Sequence, residues 1–202
     1  MELYIVRHGE TLWNKARRLQ GNTDIQLNES GRSVAIKTGE ALKETYFDVI
    51  YSSPLSRAYE TACLIRGQRN IEIIKDDRLK ELSFGNLEGQ NIDDMLADEN
   101  SCFKHFFDKP HLYMPDENGE ALEELCKRTA DFMEDVIMPR ADKLNRVMIV
   151  GHGAMNKSIM CYIKKHGIDR FWSGGLQKNC NVIIVCYKDG QFKVIEEEKI
   201  FY

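Results

Sequence analysis

Two apolar runs, Leu3-Tyr4-Ile5-Val6 and Val147-Met148-Ile149-Val150, each end abruptly at a histidine beside glycine: Arg7-His8-Gly9 in the first case and Gly151-His152-Gly153 in the second. A short apolar run without alternation reads as a strand buried on both faces, as in a parallel sheet covered by helices. Open α/β sheets gather ligands and reacting groups at the C-terminal ends of their strands. The two histidines therefore mark one edge of a sheet, and the remaining chain has to fold around that edge.

The segments between them alternate in period. Asn28 or Ser30 can cap a helix reaching Glu44, with an apolar face of Val34, Ala35, Ile36, Ala41 and Leu42. Residues 48–51 read as a second strand, and the stretch from Ser52 to Arg57 as a strand-to-helix corner with Pro54 at an early helical position. The helix that follows should run to Arg66 and bury Tyr59, Ala62, Cys63 and Ile65. Residues 71–74 predict a third short strand, residues 79–89 an irregular loop, and residues 91–115 a short helical insertion with loops. Residues 120–142 place Leu122, Leu125, Cys126, Phe132, Met133, Val136 and Ile137 near helical spacing, which predicts one long amphipathic helix despite Pro139. The strand ending at His152 should lead into a helix over residues 154–165. Residues 181–187 and 191–197 flank Lys188-Asp189-Gly190, a hairpin signal. The expected fold is α/β: a three-layer sandwich with a mostly parallel sheet, helices on both faces and a C-terminal β-hairpin.

At 202 residues, 43% of them hydrophobic, the chain can bury a substantial core. No Pro/Gly/Ser-rich linker divides it, so a single domain over residues 1–202 is expected, with a small insertion at about 90–118 near the strand ends. The net charge of −4 argues against nucleic acid as a partner, so any attraction for anions must be local. No apolar run is long enough to span a bilayer, and the N-terminus lacks a signal-peptide pattern, so the expectation is a cytoplasmic protein with no membrane partner. The six cysteines include no C-x-x-C pair and read as free thiols in a reducing compartment.

Arg7, His8, Arg57 and His152 all fall at strand ends or at a helix start, where two guanidinium forks suit phosphoryl oxygens. Glu81, in the loop after the third strand, could reach the same crevice as a general acid. Each has a plainer reading alone: a structural histidine, a surface arginine, an ordinary loop carboxylate. A metal site on His8, His152 and carboxylates is opposed by the two arginines and by the lack of H-E-x-x-H or a close ligand pair.

Arg7-His8-Gly9-Glu10-Thr11 with Trp13-Asn14 resembles the signature of the histidine phosphatase superfamily, in its phosphoglycerate-mutase-like branch. Leu19-Gln20-Gly21, Asp24, Leu27-Asn28 and Gly31 are similar to the loop and first helix that follow. Ser52-Ser53-Pro54-Leu55-Ser56-Arg57-Ala58 with Thr61-Ala62 is similar to the second motif, Leu82, Phe84-Gly85 and Leu87-Glu88-Gly89 around Glu81 to the third, and Val150-Gly151-His152-Gly153 to the fourth. The resemblance implies His8 as nucleophile, forming a phosphohistidine, and Glu81 as the proton donor and acceptor. It implies Arg7, Arg57 and His152 around the phosphoryl oxygens, with Asn14, Gln20, Gly21 and Gly153 completing the substrate site and no cofactor or metal.

The substrate implied is a small phosphorylated metabolite. Family mutases carry an Arg-Arg pair in a longer insertion after the third motif, whereas the only adjacent pair here is Arg17-Arg18 and residues 90–115 contain no Arg. That departure favours a phosphatase over a phosphoglycerate mutase. A catalytically idle binding protein is opposed by the presence of every implied catalytic residue, and a nucleotide-dependent phosphotransferase by the missing G-x-x-x-x-G-K-[ST]. The aromatic residues from Phe103 to Tyr113 could either cover the pocket or pack the insertion down. A homodimer through the sheet edge or hairpin is left open.

Overall fold

The strands that end at the two histidines are neighbours at the centre of the sheet. In the computed structural model, which describes residues 1–202, the elements in chain order are β1 (Glu2–Arg7), α1 (Leu12–Lys15), α2 (Glu29–Ala41), β2 (Val49–Ser52), α3 (Ser56–Arg66), β3 (Ile73–Lys75), α4 (Ile92–Ala97), α5 (Leu122–Phe132), β4 (Arg146–Gly151), α6 (Gly153–Lys164), β5 (Val182–Lys188) and β6 (Gln191–Lys199). The sheet order is β3-β2-β4-β1-β5-β6. The first four strands pair in parallel, while β5 runs antiparallel to β1 and β6 antiparallel to β5. The β5–β6 turn is the two-residue Asp189-Gly190, with φ of 51° and 75°, the left-handed pair that matches strand twist.

Alternation along each strand sorts the side chains into two cores. Leu3, Ile5, Val49, Tyr51, Val147, Ile149, Ile183 and Val185 face α5 and α6, together with buried residues of the insertion such as Phe103 and Phe106. Val6, Ile50, Met148, Val150 and Val182 face the opposite way, against Leu42 and Ala58, Ala62 and Ile65 of α3. A sheet covered on both faces is the three-layer arrangement expected from the apolar runs.

Four details differ from the sequence reading. The inward face of α2 is Gly31, Ala35, Thr38 and Gly39, whereas Ile36 is exposed. Close packing is the reason: a Cβ at Gly39 would come within 2.8 Å of the Ile65 carbonyl oxygen, so α2 meets α3 with small residues. On α3, Tyr59 and Cys63 are only half-buried and the inward positions include Arg57 and Thr61. Pro54 precedes the helix, which begins at Ser56 with Leu55 as its N-cap. The long helix keeps α geometry only over α5, then widens into a π turn (Met133–Ile137) and a 3-10 turn (Met138–Arg140). Pro139 supplies no N–H and crowds the preceding turn, and Arg140 donates to the Val136 carbonyl at 2.7 Å in compensation.

Phe132 closes α5 fully buried, with its ring edge-on to Tyr51 at 5.5 Å. Phe132→Ala should lower unfolding free energy by about 3–5 kcal/mol in urea titration, through lost burial and the cavity left behind.

Candidate active site

β1, β2 and β4 stop together. Arg7 stands in register with Gly151, and Ser52 with Val150. His8 N–H then donates to the Gly151 carbonyl at 2.9 Å and Ser53 N–H to the Val150 carbonyl at 3.0 Å. The sheet edge thus groups Arg7, His8, Ser53 and His152, and α3, starting just after Ser53, brings in Arg57.

His8 is buried, and its Nδ1 lies 2.7 Å from the Gly9 carbonyl oxygen. A carbonyl only accepts, so Nδ1 holds the proton and Nε2 keeps its lone pair. Desolvation, then the charges of Arg57 and Arg7, push the pKa well below 6.5, leaving a neutral imidazole with one unprotonated nitrogen. Gly9 N–H donates to Thr61 Oγ1 at 2.9 Å, and that hydroxyl donates to the Arg57 carbonyl at 2.6 Å, tying the His8 turn to α3.

The His152 ring is fully buried, 5.2 Å from that of His8. Its Nε2 is 2.8 Å from Ser53 Oγ, which accepts the Leu55 N–H at 3.3 Å and so can give its own proton to Nε2. The remaining ring proton then sits on Nδ1, which is buried without a partner. Desolvation, followed by the charges of Arg57, His8 and Arg7, also holds this pKa well below 6.5.

Arg57 has no exposed surface. Its Nη1 donates to the Thr23 carbonyl at 2.9 Å and Nη2 to the Gly21 carbonyl at 2.6 Å, and its Nε has no partner. Arg7 Nη1 donates to the Gln177 carbonyl, and its Nε is likewise buried and unpaired. Burial lowers the pKa of both, that of Arg57 to about 10, so Arg57 remains a cation at neutral pH.

The carbonyls that hold Arg57 belong to a loop built around Glu88. Its carboxylate accepts the N–H groups of Asn22 at 2.8 Å, Thr23 at 2.7 Å and Phe84 at 3.1 Å, together with the Thr23 hydroxyl. Gly21 is required there: its φ is +54°, and a Cβ would stand 2.0 Å from Glu88 Oε1. Glu81 is held at the start of α6, where Oε1 accepts from Leu82 at 2.9 Å and Met155 at 3.0 Å and Oε2 from Ala154 at 3.2 Å. Its loop is strapped by Arg128, which donates to the carbonyls of Arg78, Lys80 and Glu81 and pairs with Glu120 at 2.6 Å. A Cβ at Gly153 would lie 3.6 Å from Glu81 Oε2 and 3.8 Å from Arg7 Nε, so glycine keeps the gap between those groups open.

These groups border a cavity of about 80 Å³. Of the residues expected from sequence, Arg7, His8, Asn14, Gln20, Gly21, Arg57, Glu81 and Gly153 line it, whereas His152 backs onto His8 and does not. Asn14 and Gln20 turn their amide oxygens to Thr11, at 3.1 Å and 3.0 Å, leaving each NH₂ as a donor. The lining also includes Arg18, Phe84, Trp172 and Leu176. Sequence reasoning gave these no role, nor Ser53, Glu88 or Gln177, because no spacing marks contacts made across the fold. A larger cavity of about 920 Å³ between α5, α6 and the hairpin contains none of the expected residues.

Residues 3–198 match the family model described as the Histidine phosphatase superfamily (branch 1). Phosphoserine phosphatase 1 of Hydrogenobacter thermophilus is 33% identical over 176 residues, covering 87% of this chain and 82% of that protein. A 2,3-bisphosphoglycerate-dependent phosphoglycerate mutase of Parvibaculum lavamentivorans is 36% identical over 168 residues, 81% of this chain and 80% of that one. The solved structure of Bacillus stearothermophilus YhfR matches with a TM-score of 0.90 at 35% identity, over 99% of this chain and 98% of that one. The chain belongs to the histidine phosphatase superfamily and is an enzyme of the phosphatase class.

Two expectations follow from the geometry. His8 and His152 have folded pKa values below the ordinary 6.5, so on acidification the unfolded chain takes up protons first. Their contribution is complete above about pH 6.5 and is lost as pH falls below it, so the thermal midpoint should drop between about pH 7 and about pH 5, and less steeply in His152→Gln. Removing the Glu88 carboxylate should free the loop that holds Arg57. Glu88→Ala should therefore weaken inorganic phosphate binding roughly tenfold by calorimetry and lower stability by about 1.5–3 kcal/mol.

Proposed function

We propose that this enzyme hydrolyses a small phosphomonoester, without a metal, through a phosphohistidine on His8. The observation that carries the reading is a neutral imidazole beside two guanidinium groups whose buried Nε atoms are unpaired. Desolvated donors without acceptors are costly unless an anion fills the space, and guanidinium matches phosphoryl oxygens. Arg7, Arg57 and His152 Nδ1–H are assigned to the phosphoryl oxygens, with Asn14 and Gln20 as neutral donors. His8 Nε2 attacks phosphorus, the bond to the leaving oxygen breaks, and Glu81, entering the step as the carboxylic acid, gives that oxygen its proton. The ionised Glu81 then takes a proton from water as its oxygen attacks phosphorus. The P–N bond breaks, its electron pair returns to Nε2, and phosphate is released.

Water is favoured over a returning phosphate acceptor because the insertion at 90–118 brings only Ile92, Phe106 and Phe107 to the cavity, all apolar. A phosphoglycerate carboxylate would meet no cation there beyond Arg18 and the phosphoryl-site arginines. Residues 1–202 act as one domain in this reading, with the insertion covering the site. The six unpaired cysteines suit a reducing compartment such as the cytoplasm.

The purified enzyme should release phosphate from an aryl phosphate in excess EDTA, and His8→Ala should cut kcat by roughly four orders of magnitude. Labelled substrate should leave an acid-labile phosphoryl group on the wild type and none on His8→Ala. Activity lost to chelator and restored by a divalent ion would overturn the metal-free mechanism, and faster interconversion of 2- and 3-phosphoglycerate than hydrolysis would make the enzyme a mutase.

A further inference from the structure

Exposure orders the cavity lining by depth. Arg57, Gln20 and Phe106 are buried, Phe107 and Trp172 half-buried, Arg18 and Leu176 exposed. The phosphoryl-facing groups form the floor, and Phe107, Trp172, Leu176 and Arg18 form the mouth, where the group leaving phosphorus must sit.

The apolar side of that mouth is held in place. Trp172 Nε1 donates to the Phe106 carbonyl at 2.6 Å, and its ring lies 5.1 Å from Phe106 and 5.0 Å from Phe107. Leu176 is 46% exposed yet sits between two anchors. On one side the Lys157 ammonium donates to the Ser173 carbonyl at 2.7 Å. On the other, Gln177 donates to the carbonyls of Ile5 at 3.1 Å and Asn181 at 2.6 Å, and its own carbonyl receives Arg7. Leu176 Cδ1 reaches within 2.8 Å of where a Cβ on Gly153 would stand, so it overhangs the gap between Arg7 and Glu81. A large apolar side chain kept at the surface, over reacting groups, is poised to bury itself on a ligand.

The charges point the same way. Glu81 is the sole carboxylate in the lining, and its oxygens already accept three backbone N–H groups. An ammonium on the leaving group would find no free counter-charge and would share the mouth with Arg18.

We propose that Phe107, Trp172 and Leu176 form a leaving-group subsite for phosphomonoesters of apolar, ring-bearing alcohols, and that the mouth discriminates against amino-acid leaving groups such as that of phosphoserine. The proposal rests on the phosphatase reading and adds its substrate class. A ring entering edge-on or offset against Trp172 gains both buried area and aromatic contact, whereas a serine zwitterion loses hydration for an ammonium that has no ion-pair partner there, a cost that contact of its carboxylate with exposed Arg18 offsets only in part.

The test compares 2-phenylethyl phosphate with O-phospho-L-serine, both of which leave as alkoxides, so a difference reports on the mouth rather than on leaving-group chemistry. Wild-type kcat/KM should favour the phenylethyl ester by roughly 100-fold. Leu176→Ala, at an exposed position that leaves the core intact, should lower that value about fivefold through KM and so narrow the preference over phosphoserine. Binding of the inert phosphonates 3-phenylpropylphosphonate and 2-amino-4-phosphonobutanoate, measured by calorimetry, should show the same order. Equal or reversed preference, or an equal effect of Leu176→Ala on both ligands, would overturn the subsite. Absence of turnover with every ester would remove the phosphatase reading alone, because the phosphonate comparison decides the subsite without chemistry.

Discussion

The structure of the site depends on a guanidinium group placed where water cannot reach it. Arg57 is fully buried, and no carboxylate touches it; two backbone carbonyls take its terminal nitrogens. An uncompensated cation at that depth would be expelled or neutralised. Here the compensation is geometric: the Gly21–Thr23 carbonyls are aimed inward because Glu88 pulls the N–H groups of Asn22 and Thr23 the other way. The same buried charge helps keep His8 and His152 neutral. One residue on the first turn of α3 thereby sets both the attraction for an anion and the protonation of the groups beside it.

A site with unpaired buried donors gains nothing for stability from those groups, so the scaffold has to be secure elsewhere. The sheet supplies this through two cores on opposite faces, reached by alternate residues of the same strands. His8 and His152 sit at the ends of the two most central parallel strands, where register leaves them little freedom. Positioning by register costs no side-chain ordering at the moment a ligand binds, which is the advantage of building a site on strand ends.

Much of this was legible in the sequence, for identifiable reasons. Apolar runs that stop at Arg7-His8-Gly9 and Gly151-His152-Gly153 announce strand ends, and Asp189-Gly190 announces its turn, because both depend on residues adjacent in the chain. The buried face of α2 was misread because helices in close contact meet through glycine and threonine, which apolar periodicity passes over. The π turn before Pro139 was missed because a helical pattern does not distinguish a turn of five residues from one of four. Glu88, named only within a motif, and Gln177 were given no role for another reason: their contacts join residues 66 and 170 apart in sequence, and only the fold brings them together. That His152 packs against the His8 ring, with its Nδ1 buried and unpaired, is a matter of side-chain layering that residue spacing does not encode.

The two halves of the cavity are made differently, and this bears on how such an enzyme can select among phosphate esters. The charged part of the floor, Arg7 and Arg57 beside His8, comes from a strand end and the first turn of α3, with Asn14 and Gln20 added by α1 and the loop after it. The apolar side of the mouth comes from two connecting segments, one between β3 and α5 and one between α6 and β5, that meet through aromatic contacts and a Trp172–Phe106 hydrogen bond. Loops on a rigid scaffold can change composition without disturbing the elements they join. They are not wholly independent of the floor, since Gln177 closes the second segment and holds Arg7 through its carbonyl. A leaving group that presses on Trp172 or Leu176 therefore acts on the same short segment that positions a phosphoryl-facing arginine. The link from mouth to reacting centre is short: a run of backbone from Trp172 to Gln177, then the hydrogen bond that the Gln177 carbonyl accepts from Arg7.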